Sequence, residues 1–270
     1  MKRYALIIFF VLAFALPWLI WGTTIAESRG LLSFHIPQSL AFWIGLNLAT
    51  YITAALTGGW AAVKELLTRL VRWREKPVWY VTALGITALL SLVSIGIHLG
   101  LGGTHQVGIL LPLSNLVPSL LFQIFFFILT EETAWRGFAL PRLQSKYSAL
   151  NASLILGVLW GFWHLPLWFI RGSFQSTLPF IGFVLAAVSM SIITTWVFNH
   201  THGSVLLAGI LHAATDVTIA YTNVLSGDLR LFWIFVGIQF AFALLVVITQ
   251  EPKYFSKNND LSGTVVPIRS

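Results

Sequence analysis

The chain of 270 residues is 57% hydrophobic and 9% charged, with a mean hydropathy of +0.83 and a formal net charge of +7. A soluble domain carries roughly 25% charged residues, so this composition excludes a chain that faces water on all sides. The absence of cysteine excludes disulfides, thiolate metal sites and a cysteine nucleophile. The basic residues lie in loops between apolar runs, with no stripe interleaved with aromatics, which points to membrane orientation and away from nucleic acid.

Apolar runs near the length needed to cross a hydrocarbon core of about 30 Å predict an all-α, polytopic membrane fold. The spans fall at about 4–22, 40–62, 78–99, 109–134, 150–170, 178–198, 204–222 and 230–249. The first follows Lys2 and Arg3 but is long for a signal peptide, and Thr24-Ile25-Ala26 is a weak cleavage site, so it reads as a membrane anchor. The 63–77 segment reads as an amphipathic cytoplasmic connector, with Leu66, Leu67, Leu70 and Trp73 on one helical face. Pro112, Pro118, Pro166 and Pro179 fall within or beside spans, where neighbouring helices compensate for a lost backbone bond. His98, at a span terminus, reads as interfacial. The chain forms one transmembrane domain over 1–255, followed by a polar tail at 256–270 that reads as disordered.

Basic residues set the orientation. Lys2, Arg3, Lys64, Arg69, Arg72, Arg74, Lys76, Arg136, Arg142, Lys146, Lys253, Lys257 and Arg269 fall on one side of the membrane, and Arg29, Arg171 and Arg230 on the other. The split of 13 to 3 favours cytoplasmic N and C termini and an even number of spans.

Ionisable groups inside a bilayer are costly and each needs a reason. The candidates are Glu131, Glu132 and Arg136 at the end of span four, His164 in span five, and His212 with Asp216 in span seven. Glu132 and Arg136 are four apart with the acid first, the favourable order for an ion pair that stiffens the helix end. Glu131 points about 100° away, has no local partner and is free for chemistry. His212 and Asp216, also four apart, can point into one cavity. Taken singly, a Glu–Arg pair is a snorkelling ion pair, a membrane histidine an interhelical hydrogen-bond partner, and an aspartate an ion-pathway residue. Their convergence on three spans of one bundle favours catalysis.

These residues carry a family pattern. Glu131-Glu132-Thr133-Ala134-Trp135-Arg136, Trp160-Gly161-Phe162-Trp163-His164 and His212-Ala213-Ala214-Thr215-Asp216 stand in order on successive helices. They resemble the Glu-Glu-x-x-x-Arg, Phe-x-x-x-His and His-x-x-x-Asn/Asp motifs of the CAAX prenyl-protease and bacteriocin-processing (CPBP, Abi) intramembrane proteases. The resemblance covers about 115–222, which would be the protease core, and the family's eight spans agree with the count above. Trp160 stands where the family has phenylalanine, a change expected to alter packing more than chemistry. Asp216 stands where the prenyl-protease branch has asparagine.

The resemblance implies that Glu131 and His164 activate water and that His212, with Asp216, stabilises the oxyanion. An ionised Asp216 cannot donate, so it is protonated, orients His212 or binds something positive. Glu131, His164, His212 and Asp216 are also a donor set suited to zinc or another divalent metal; the preferred reading requires no cofactor. With these boundaries Glu131 lies within about 10 Å of the cytoplasmic surface and His164 about 20 Å deep, a mismatch that points to an error in the boundaries. The site is expected in a water-filled cavity open to the cytoplasmic side. The expected partners are membrane lipids and a peptide or membrane-protein substrate, with no nucleic acid, in the plasma membrane of a prokaryote; oligomeric state is not legible. The alternative functions are a proton-coupled transporter and a non-catalytic immunity or scaffold protein of the same fold.

Overall fold

The computed structural model describes residues 4–106, 112–225, 228–251 and 255. Among the described residues, eight helices are long and apolar enough to cross a membrane: α1 (Ala5–Ser28), α2 (Ala41–Leu70), α3 (Pro77–Gly100), α4 (Leu113–Gln144), α5 (Ala149–Phe169), α6 (Phe180–His200), α7 (Val205–Thr222) and α8 (Leu229–Thr249). No strand occurs among the described residues. The all-α, eight-span fold read from the sequence is borne out. The tail at 256–270 lies outside the described residues, as do Lys2, Arg3, Lys253, Lys257 and Arg269.

The connections meet at two ends of the bundle. At one end, which we call the basic end, Ser204 Oγ donates to the Arg72 carbonyl at 2.6 Å and His202 Nδ1 lies 3.0 Å from Glu75 Oε1. Gln144 Nε2 donates to Asn199 Oδ1 at 3.2 Å there. At the opposite end Tyr221 donates to the Pro112 carbonyl at 3.1 Å, and the Trp168 indole to the Leu178 carbonyl at 2.9 Å.

Two helices overrun their predicted limits toward the basic end. α2 continues through most of the expected connector to Leu70, bending at Gly59, whose φ of 64° favours glycine. Its charged end stays helical because Arg69 pairs with Glu65 one turn earlier, at 2.7 Å. α4 continues ten residues beyond its predicted end at 134, to Gln144. There Arg142 donates to the Phe138 carbonyl at 2.9 Å and lies over the Phe138 ring at 3.7 Å. Arg69 and Arg142, which read as loop cations, are helical and internally partnered.

α1 is stitched into the bundle and is no separate anchor. Phe9, Ala13 and Trp21 are buried. The Trp163 indole donates to the Ala13 carbonyl at 2.7 Å, and the Trp18 indole to the Trp163 carbonyl at 2.8 Å. Buried indoles need such acceptors. α5 and α6 approach closely through Gly157, where a Cβ would stand 2.7 Å from the Val188 Cα; small residues allow this in membrane bundles. His98, expected at the interface, is instead fully buried, with Nε2 3.1 Å from the Thr104 carbonyl and 3.6 Å from Asp228.

Candidate active site

A break in α4 positions both glutamates. Regular helix ends at Leu129, Thr130 takes φ −119° and ψ −91°, and a π-helical stretch follows over Thr133–Ala139. The hydroxyls of Thr130 and Thr133 bond back to the carbonyls of Phe126 and Ile128, at 2.7 and 2.5 Å. The wider turn sends neighbouring acids to different helices, a use typical of π-bulges at functional sites.

Glu131 meets α5. Its Oε2 accepts a hydrogen bond from the Trp160 indole at 2.6 Å and a longer one from Trp135, one turn along α4, at 3.3 Å. Two sequence expectations are therefore corrected. Glu131 has a local partner, and Trp160 does more than pack, because its N–H contacts the acid and a phenylalanine has no such donor. Trp160 is also the hub of the site. The Arg136 guanidinium lies over its ring at 4.9 Å, and the ring meets His212 edge-on at 5.3 Å.

Glu132 meets α7. Oε1 accepts from Arg136 at 2.9 Å, as the spacing predicts, but also lies 2.8 Å from His212 Nδ1. Glu132 and Arg136 are fully enclosed. The pair therefore does more than stiffen a helix end, since Glu132 orients His212, the role one reading gave to Asp216. The His212 ring is further fixed by stacking on Phe127, with centroids 3.7 Å apart and planes at 9°.

The bonds assign the tautomers. A carbonyl only accepts, so the 2.8 Å contact from His164 Nδ1 to the Trp160 carbonyl requires a proton on Nδ1. In neutral His164, Nε2 is then an acceptor. His212 Nδ1 faces a carboxylate oxygen that already accepts from Arg136, so it too carries its proton. With Nδ1 protonated, His212 Nε2 can donate only when the ring is cationic.

Glu131, His164, His212 and Asp216 all line one cavity of about 500 Å³. Asp216, exposed on its wall, sits one turn beyond His212. The walls are mainly aromatic and aliphatic, including Phe42, Phe126, Phe183 and Phe235. Gln123, Gln175, Asn223 and Gln239 add polar groups that sequence reasoning missed, for lack of any motif to mark them.

The depth mismatch disappears with the longer α4. Glu131 lies thirteen residues before Gln144 and His164 fifteen after Ala149, about 20 and 22 Å from the basic end at 1.5 Å per residue. The cavity extends away from that end, to Phe174 and Gln175 between α5 and α6 and to Asn223 and Leu225 beyond α7. Toward the basic end, Phe138, Leu140, Val205 and Leu207 are all fully buried, and none of them lines the cavity. A cavity opening on the side of the basic loops, as expected from the sequence, is not what the structure has.

The donor set does not fit a metal as arranged. Among the described residues, no group of three or more His, Asp or Glu side chains is spaced to hold an ion. Oε2 of Glu131 is already engaged by two indole N–H groups.

The family profile described as type II CAAX prenyl endopeptidase Rce1-like matches residues 113–218. Over this stretch the chain is similar to that family. The match runs from the start of α4 to the Asp216 turn of α7 and contains Glu131, Glu132, Arg136, Trp160, His164, His212 and Asp216, as the three motifs led one to expect. CAAX prenyl protease 2 of Methanococcus maripaludis is 28% identical over 198 residues, 70% of each chain. The matching profile is that of a prenyl endopeptidase, and the relative is named as a CAAX prenyl protease.

Proposed function

We propose that the chain is an intramembrane endopeptidase of a prokaryotic plasma membrane that uses Glu131 and His164 to activate water. The observation that carries the reading is the convergence of an acid, an acceptor histidine and an acid-held histidine on one mostly apolar cavity. Such a cavity suits a membrane-held peptide with apolar residues beside the scissile bond. The relative's name concerns prenylated CAAX substrates; for this chain the aromatic wall supports an apolar chain or side chain in the same place.

The reaction needs no covalent intermediate. Water lies between Glu131 and the Nε2 of His164, and its oxygen attacks the scissile carbonyl as Glu131 takes a proton. The oxyanion is stabilised by cationic His212 through Nε2–H. Collapse breaks the C–N bond, and Glu131 returns its proton to the leaving amine. Glu132 and Arg136 are positioning residues, acting through His212 and the α4 turn. Asp216, on the same wall as His212, faces the substrate and favours a positive group there.

The test is cleavage of a membrane-peptide panel, prenylated and unprenylated, by detergent-purified protein, with products mapped by mass spectrometry. Wild type is expected to cut, Glu131→Gln and His164→Ala to lose cleavage while folded, and a chelator to leave wild type active. Equal turnover in all three proteins would attribute cleavage to a contaminant and remove the support for this site. Chelator-sensitive turnover restored by zinc would replace the metal-free mechanism with a metal-assisted one.

A further inference from the structure

Two observations, one from charge and one from shape, fix opposite ends of the bundle. Among the described residues, Lys64, Arg69, Arg72, Arg74, Lys76, Arg136, Arg142 and Lys146 belong to the basic end or its helices' approach to it, and only Arg29, Arg171 and Arg230 lie toward the other. A positive cluster of this kind marks the cytoplasmic side in multi-pass proteins. The cluster is also built into the fold. The Arg72 guanidinium donates to the His202 carbonyl, and Ser204 donates to the Arg72 carbonyl.

The cavity faces the other way. His164 lies five residues before the end of α5, and the lining continues through Phe174 and Gln175 of the following loop. On α7 the lining runs from His212 through Asp216 and Ile219 to Asn223, at and beyond the helix end away from the basic loops.

We propose that the cavity opens to the extracytoplasmic side of the membrane, so that the substrate is a membrane-tethered peptide presented from that face. This rests on the reading of the cavity as the active site. It excludes a tail that stays in the cytoplasm and selects a segment already carried across, such as the outer flank of a transmembrane anchor. Apolar residues of that segment enter the aromatic wall, while its backbone reaches Glu131 and His212 from above.

Because the chain has no cysteine, single cysteines report sidedness without removing native thiols. Gln175→Cys and Ser176→Cys mark the cavity mouth, and Lys146→Cys marks the basic end. Each full-length variant is expressed in bacterial cells and treated with a membrane-impermeant maleimide, in intact spheroplasts and after lysis. The mouth positions are expected to label in intact spheroplasts and Lys146→Cys only after lysis. Labelling of Lys146→Cys in intact spheroplasts, or of both mouth positions only after lysis, overturns the proposal. Cleavage is not the readout, so a failed protease reading and a failed orientation give different results.

Discussion

Replacing Trp160 by phenylalanine isolates the bond to the proposed general base. The aromatic ring over Arg136 and beside His212 is retained in large part, while the 2.6 Å donation to Glu131 Oε2 is removed. A hydrogen bond to a charged group is worth about 1.5–3 kcal/mol, and 1.4 kcal/mol is about tenfold in rate. The Trp135 indole, at 3.3 Å on the same oxygen, compensates in part. The expected loss in kcat/KM is therefore about tenfold or more, carried mainly by kcat, because the bond orients the base and does not hold substrate. The assay is steady-state cleavage by purified Trp160→Phe protein, with the thermal midpoint in the same detergent as the control for folding. Turnover within twofold of wild type, at an equal midpoint, would refute the claim that this indole positions Glu131.

Glu132→Ala leaves Arg136 buried without its acid and frees His212; breaking such a pair costs about 3–5 kcal/mol, so a large fall in the thermal midpoint is expected together with loss of cleavage. Gly157→Ala drives a Cβ to 2.7 Å from the Val188 Cα, and separating α5 from α6 is expected to destabilise by about 1–3 kcal/mol, read by the same midpoint with activity per folded molecule retained. Asp228, which caps α8, is held below the usual carboxylate range chiefly by the Leu231 N–H, with Arg230 and His98 adding to the effect. A depressed group stabilises above its unfolded value, about 3.9, and that contribution is lost as pH falls through the folded value. The midpoint should therefore drop on acidification below about pH 4, and less steeply in Asp228→Asn, which keeps the cap without titrating.

The eight spans were legible because each is a long apolar run, and the site residues because a charge inside such a run is costly and stands out against it. The boundaries of α2 and α4 were not. Lys64, Arg69 and Arg142 look like loop residues in sequence, yet Arg69 is neutralised within its helix and Arg142 is folded over Phe138. The i,i+4 rule found the Glu132–Arg136 bond but could not reach His212, eighty residues away, since that contact depends on how α4 packs against α7. Trp160 was misjudged because a family pattern compares residue shapes, while the consequence here is a donor that phenylalanine lacks. The end at which the cavity opens depends on the three-dimensional taper of the bundle, and no run of residues encodes it locally.

The most direct measurement is a pair of experiments on Glu131→Gln, which retains shape and removes the base. Binding of an uncleaved substrate analogue and single-turnover hydrolysis are measured on the same folded preparation. The mechanism requires near-normal binding with hydrolysis reduced by about 10²–10⁴-fold, the usual contribution of a positioned general base. Hydrolysis at the wild-type rate would contradict it and remove Glu131 from the chemistry.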